Sequence, residues 1–201
     1  REIFDEIKKM PQRSCPSALI PISNGCDNFC SYCVVPYTRG RSICRPHQDI
    51  LQEVKNSIRR GYKEIWLLGQ NVNDYRSKTI NFAKLVKLVN EIPGNFKFFF
   101  MSPHPNNFSD ELIKTLTKCS KFGKRLNIPA QSGDNAILKK MRRNYTVNQY
   151  KNLIKKIRRA IPDINLSTDA IVGFPGETKK HFENTVKLFK KINFDIAYIS
   201  K

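Results

Sequence analysis

No run of about 18 apolar residues occurs anywhere in the 201-residue chain, so no membrane-spanning helix is expected. Residues 1–10, REIFDEIKKM, mix both charges and read as helix. They lack the pattern of a signal peptide and that of an Arg/Ser-rich, acid-poor transit peptide. Internal repeats and low-complexity tracts are missing, which sets aside solenoid and linker architectures. Six cysteines are too few for a disulfide-dense secreted scaffold. Acidic residues are scarce: 17 Asp and Glu stand against 36 Lys and Arg, leaving a net charge of +19. Disorder is excluded in turn, because 40% of positions are hydrophobic and 10% aromatic. The length suits one soluble globular domain with a real core.

The charge excess favours a polyanionic partner such as nucleic acid, or an anionic membrane surface. Single pairs such as Lys155–Lys156 or Lys190–Lys191 read equally well as solvated helix faces.

Short apolar runs alternate with amphipathic stretches. The runs cover residues 19–23, 64–68, 97–100, 125–128, 165–172 and 195–199. Between them, Pro46 opens a helix that places Ile50, Val54 and Ile58 on one face and stops at Gly61. A second helix carries Phe82, Leu85, Val86 and Val89 and ends at Pro93–Gly94. Thr146-x-x-Gln149 is a capping box ahead of Tyr150, Leu153 and Ile157, and Thr178 caps a helix with Val186 and Phe189. Six strands joined by helices predict an α/β fold with parallel βαβ crossovers, a partial and open TIM-like (β/α)6 barrel. In such folds chemistry gathers beyond the carboxyl ends of the strands. Small, polar and Gly-rich sequences follow each run there, among them Gly69-Gln70-Asn71, Met101-Ser102-Pro103-His104, Pro129-Ala130-Gln131-Ser132-Gly133 and Gly173-Phe174-Pro175-Gly176-Glu177.

Cys26-Asp-Asn-Phe-Cys30-Ser-Tyr-Cys33 is the sharpest signal. Thiolates grouped this closely bind zinc or an iron–sulfur cluster. A zinc knuckle wants a fourth ligand, for which Cys44 or His47 would have to serve. Three ligands on a four-iron cube instead leave one iron open to a substrate or cofactor.

This spacing, with an aromatic just before the last cysteine, resembles the signature of the radical S-adenosylmethionine (SAM) enzymes. Cys33-Val-Val-Pro-Tyr-Thr-Arg-Gly40, Leu67-Leu-Gly-Gln-Asn-Val-Asn73, Ile128-Pro-Ala-Gln-Ser-Gly133 and Ser167-Thr-Asp-Ala-Ile-Val-Gly-Phe-Pro-Gly-Glu-Thr178 resemble the methylthiotransferases among them. The Gly-Gln-Asn-Val-Asn segment resembles their MiaB-type tRNA branch. The resemblance implies a barrel of the radical SAM type over residues 16–201, broken off in its sixth strand, with residues 1–15 as a linker or the end of a preceding domain. It implies a [4Fe–4S] cluster on Cys26, Cys30 and Cys33, whose unique iron chelates SAM. No catalytic side chain beyond these ligands is implied.

Tyr32 takes the aromatic position beside the adenine. Gln131, Ser132 and Asp169 are implied as polar contacts to SAM, Gly173 as a close backbone approach, and Arg143 as a contact to a SAM or phosphate oxygen. Each has a plainer alternative. Gln131 and Ser132 could cap the next helix with Asp134, and Asp169, lying between Leu166 and Ile171, could form a structural salt bridge. His104 between two prolines suits a rigid turn. Arg39, Arg41 and Arg45 could contact phosphate or lie in a solvated loop.

The implied reaction converts N6-isopentenyladenosine at position 37 of tRNA to its 2-methylthio derivative, using SAM both as methyl source and as radical source. Sister branches act on a threonylcarbamoyl adenosine or a ribosomal-protein aspartate. A catalytically incomplete RNA-binding fragment is the remaining alternative. The resemblance further implies a second [4Fe–4S] cluster in an N-terminal domain, the tRNA anticodon stem-loop as partner, and an electron donor such as flavodoxin or ferredoxin. It implies no membrane partner and a cytoplasmic location, or the mitochondrial matrix for an organelle-targeted homologue. Cys44 departs from the family's usual serine, Asn144 from glycine and Met101 from threonine.

Overall fold

The computed structural model describes residues 17–201, so the expected linker over 1–15, with Cys15, lies outside the described residues. In chain order the strands are β1 (Ser17–Pro21), β2 (Ser23–Asn24), β3 (Ile43–Cys44), β4 (Glu64–Leu68), β5 (Arg76–Ser77), β6 (Ile80–Asn81), β7 (Lys97–Phe100), β8 (Arg125–Asn127), β9 (Asn165–Ile171) and β10 (Ile196–Ser200). The helices are α1 (Val35–Thr38), α2 (His47–Arg59), α3 (Phe82–Glu91), α4 (Asp110–Lys118), α5 (Asn135–Lys140), α6 (Val147–Ala160) and α7 (Lys179–Ile192).

Two three-stranded parallel sheets form, ordered β1-β4-β7 and β8-β9-β10. They meet where Phe98 N–H donates to Lys121 O at 2.9 Å and Gly123 N–H to Phe98 O at 2.9 Å. The six long strands therefore follow one another in sequence order. Among the described residues no ladder joins β10 back to β1, so the barrel stays open, as expected.

Alternation along each strand builds the two faces. Ala18, Ile20, Ile65, Leu67, Phe98 and Leu126 are buried in the core that includes Ile50, Val54, Leu85 and Ile157 of the helices. The opposite face looks into the open interior. There Trp66 stacks on Phe99 with centroids 4.5 Å apart, and Trp66 Nε1–H and Ser17 Oγ–H both donate to Glu64. The carboxyl ends of the strands form the mouth of this open interior.

Local chemistry sets the helix ends. Thr146 and Gln149 make the expected capping box on α6, and Thr178 caps α7 together with His181. Pro46 is the N-cap of α2, one position ahead of the first turn. The short clips β2–β3 and β5–β6 and the helices α1, α4 and α5 went unnamed by periodicity. On α4, Ser109 Oγ caps the Leu112 N–H at 3.1 Å, and Leu112, Ile113 and Leu116 are buried. Nine residues give too few turns for the apolar spacing to stand out.

Candidate cofactor site at the carboxyl ends of the strands

The cysteine loop leaves β2 through Gly25, whose φ is +78°. A Cβ there would lie 2.2 Å from Arg41 O and 2.6 Å from Gly40 O, so only glycine fits. The pairing of β2 with β3 closes the loop at its base, and Cys26 N–H donates to Gly40 O at 3.2 Å. The far side is pinned to the end of α5: Ser31 N–H donates to Met141 O at 3.2 Å and Ser31 Oγ to Lys140 O at 2.9 Å.

The three expected ligands sit together on this loop. Cys26 and Cys30 are each only 7% exposed, and Cys33 is half-buried. N–H donors aim at the sulfurs. Asn28 offers its backbone N–H and its Nδ2 to Cys26 Sγ at 3.4 and 3.6 Å, and Arg143 Nη1 reaches Cys30 Sγ at 3.6 Å. Burial raises the Cys26 thiol pKa against the pull of the Asn28 bonds. Donors on sulfur in a shielded loop suit thiolates held by a metal centre.

The two candidates for a fourth zinc ligand have partners of their own. Cys44 Sγ accepts the Arg76 N–H at 3.3 Å, and the His47 ring meets Ser77 Oγ at 3.3 Å. Among the described residues no three His, Cys, Asp or Glu side chains converge on one metal ion. A four-iron cube makes no such demand, because each thiolate binds its own iron.

Arg143 is the central polar residue of the mouth. It donates Nε–H to Tyr145 Oη at 3.1 Å and Nη2–H to Pro129 O at 3.3 Å, with its guanidinium 5.1 Å from the Tyr145 ring centre. Tyr145 in turn donates to Ala130 O at 2.9 Å. Tyr32 lies within the electrostatic reach of Arg143 and Cys30; burial raises its phenol pKa, so it stays protonated. Tyr32, Cys30 and Arg143 are thus brought together. Tyr145 escaped notice in the sequence, although it ends the Met141-Arg142-Arg143-Asn144 stretch.

His104 is buried where a rigid turn was expected. Its Nδ1 accepts the Asn106 N–H at 3.2 Å, and Asn73 clamps its backbone through bonds of 2.8 and 2.9 Å. Burial, and then the Arg143 charge, push its pKa from 6.5 down to about 3. The unfolded chain takes up this proton near pH 6.5, while the folded chain refuses it until about pH 3. The unfolded state therefore binds more protons in that window, and lowering the pH through it removes up to ~1.4 kcal/mol per unit. His104→Gln is expected to flatten the fall in urea midpoint between pH 7 and pH 5. Identical slopes for wild type and variant would contradict the assignment.

The remaining candidates divide. Gln131 adopts φ +63° and bridges to β9: its N–H donates to Asp169 O at 2.8 Å and its carbonyl accepts Ile171 N–H at 2.9 Å. Asp169 lies on the interior face and accepts Asn127 Nδ2–H at 2.7 Å, which replaces the structural salt bridge by a neutral partner. Gly173 has φ +72° and donates its N–H to Glu177 Oε2 at 2.5 Å.

Ser132 is buried in the turn after β8. Only 1% exposed, its hydroxyl accepts the Asp134 N–H at 3.2 Å and lies 3.5 Å from Thr185 Oγ1. Gly133 causes this, because a Cβ there would stand 2.5 Å from Thr185 Cα, so α7 closes directly on the turn. Asp134 is the cap of α5, accepting from Ala136 and Ile137. Arg45 is no phosphate contact: it is buried, pairing Nη2 with Glu53 at 2.6 Å and donating Nη1–H to Pro21 O at 2.6 Å. Arg39 and Arg41 are exposed, and Arg41 lies over Phe29 at 5.2 Å.

A second test of fit comes from polar atoms without partners. Asn71, 5% exposed, leaves both amide atoms unbonded, and Gln70 Oε1 and Glu177 Oε1 are also buried and unsatisfied. All follow strand carboxyl ends. Buried polar groups are normally bonded, so these ask for a polar ligand, and SAM offers an amino group, a carboxylate, hydroxyls and an adenine edge. The residues fit the group.

Comparison with known proteins agrees with this geometry. The family model described as the radical SAM superfamily matches residues 20–189. The tRNA-2-methylthio-N(6)-dimethylallyladenosine synthase of Clostridium novyi (strain NT) is 46% identical over 98% of this chain. That of Clostridium botulinum (strain Alaska E43 / Type E3) is 45% identical over 98%. The chain spans only 46% and 45% of the length of these two relatives. Among solved structures, the radical SAM methyltransferase TsrM from Kitasatospora setae with cobalamin and a [4Fe-4S] cluster bound superposes with a TM-score of 0.76 at 19% identity, over 91% of this chain and 36% of its own. Coproporphyrinogen III oxidase (HemN) from Escherichia coli gives 0.63 at 18%, over 99% and 47%. At such identities these structures speak for the fold alone.

Proposed function

The chain belongs to the radical SAM superfamily, and on that premise we propose that it is the radical SAM domain, over residues 16–201, of an enzyme that methylthiolates N6-isopentenyladenosine at position 37 of tRNA. The carrying observation is the loop that gathers Cys26, Cys30 and Cys33 at the barrel mouth with N–H donors on two of their sulfurs. The names of the relatives that match nearly the whole chain support the substrate.

When bound, the [4Fe–4S] cluster and SAM supply the reductive, hydrogen-abstracting radical chemistry. The chain's own residues hold and orient. Cys26, Cys30 and Cys33 anchor the cluster. When SAM is bound, Tyr32 would contact its adenine, and Asn71, Gln131 and Asp169 would supply polar contacts beside the turn at Gly173. The nucleoside would enter the open interior of the barrel. An electron donor of the flavodoxin or ferredoxin class, a second [4Fe–4S] cluster carried by another domain, and a cytoplasmic site of action complete the reading.

The rim favours RNA over the ribosomal-protein substrate of the sister branch. Phe29, Val34 and Tyr37 are exposed beside Arg39 and Arg41, and Tyr37 stands edge-on to Phe29 with centroids 5.9 Å apart. Exposed rings among arginines suit unstacked loop bases flanked by phosphates. Arg39→Glu is expected to weaken binding of an anticodon stem-loop and to reduce the slope of log K against log salt by ~1, the share of one phosphate contact. An unchanged slope would move the RNA elsewhere.

The activity test uses oxygen-free protein with dithionite, SAM and tRNA carrying isopentenyladenosine, threonylcarbamoyl adenosine or neither. The proposal expects 5′-deoxyadenosine formation stimulated by the isopentenyl tRNA alone. Stimulation by the threonylcarbamoyl tRNA alone would assign the sister branch.

A further inference from the structure

Arg143 is a buried cation that makes no ion pair with a carboxylate among the described residues. It is 8% exposed, and its hydrogen-bond partners are Tyr145 Oη, Pro129 O and Cys30 Sγ. The ion pairs among the described residues employ Asp27, Glu53, Asp110 and Asp163, none of them with Arg143. Guanidinium groups do not shed their proton in proteins. A charge this deep, left unpaired, is destabilising.

The groups packed around it do not supply the missing anion. Its other bonded neighbours, the Tyr145 hydroxyl and the Pro129 carbonyl, are uncharged groups. Cys30 Sγ is the one contact that turns anionic when a metal centre loads, since thiolate is the form that binds.

We propose that Arg143 sets the reduction potential of the cluster by donating its Nη1–H to Cys30 Sγ. This rests on the cluster reading above and adds to it a residue acting on the cluster's electronic state. Uptake of one electron from the reductant makes the centre one unit more negative. A fixed positive charge and an N–H···S bond favour that reduced form and raise the midpoint potential.

The scaffold holds the guanidinium for this task. The turn after α5 passes through Arg142 at φ +55°, and Arg143 N–H is tied to Leu138 O at 2.9 Å. Tyr145 accepts Nε–H and spends its own proton on the carbonyls of Pro129 and Ala130. Tyr145 is therefore a positioning residue for Arg143.

The experiment is an EPR-monitored redox titration of the anaerobically reconstituted 201-residue chain, run with and without SAM. Wild type is compared with Arg143→Gln, Arg143→Lys and Tyr145→Phe. In the absence of SAM, Arg143→Gln is expected to shift the midpoint to more negative potential. Arg143→Lys and Tyr145→Phe should shift it the same way by less. A Gln midpoint equal to wild type overturns the proposal, and so does a shift confined to SAM-bound protein, which would place Arg143 on the cofactor instead. Should the Gln variant load no iron, unchanged midpoints in both the Lys and Phe variants overturn it equally. A wild-type chain with no cubane signal fails the cluster reading itself and is told apart at the first sample.

Discussion

Cys30→Ala is expected to abolish SAM cleavage under dithionite and to leave the reconstituted chain without an intact cubane. Cys30 is the buried middle ligand of the loop, and its sulfur is the one in contact with Arg143. Its removal takes away one of three anchors and strips a buried guanidinium of its prospective anion, so the damage is double. Iron and sulfide should fall from about four each per chain, the content of a cubane site, towards background. 5′-Deoxyadenosine should fall with them. Retained deoxyadenosine formation would contradict the ligand assignment. Cys44→Ala and Cys119→Ala provide the controls. Cys44 Sγ faces Arg76 and Cys119 is packed in the core, so both variants should load iron like wild type.

Gly25→Ala is expected to be nearly as harmful although it touches no ligand. Two separate penalties meet there: a φ of +78° that L-residues rarely adopt, and a backbone carbonyl 2.2 Å from the new methyl. That carbonyl belongs to Arg41, close to the β2–β3 clip, so neither side of the loop can yield without opening its base. A loss on the order of 3 kcal/mol in stability is expected, together with a large drop in reconstituted iron. Gly40→Ala is the informative contrast, because its φ is similarly positive but nothing lies within 4 Å of its Cβ position. It should lose only the conformational part, ~1–2 kcal/mol. Equal behaviour of the two variants would show that the carbonyl collision has no weight.

Much of this arrangement is legible in the chain itself. The runs at 64–68 and 97–100 coincide with β4 and β7, and the 165–172 run overshoots β9 by one residue. They were readable because alternate residues are buried against helices whose own apolar stripes are long. The cysteine spacing and the polar sequences after each strand then located the mouth. What resisted reading depends on contacts remote in sequence. Arg45 looks like its neighbours Arg39 and Arg41, yet Glu53 on α2 and the carbonyl of Pro21 draw it inside. The burial of Ser132 depends on Gly133, which admits Thr185 from α7. Asp169 finds Asn127, a residue 42 positions away, and an amide carries no charge to betray the pairing. Asn71 shows the opposite case, since its role is visible only as a bond that is missing.

The central claim, a three-cysteine cubane with one iron left for SAM, is tested most directly by EPR of the reduced, oxygen-free chain before and after SAM is added. A signal accounting for about four irons per chain is expected, changing on SAM addition and absent in Cys30→Ala. A signal that SAM leaves untouched, or protein that binds one zinc and no sulfide, would contradict it.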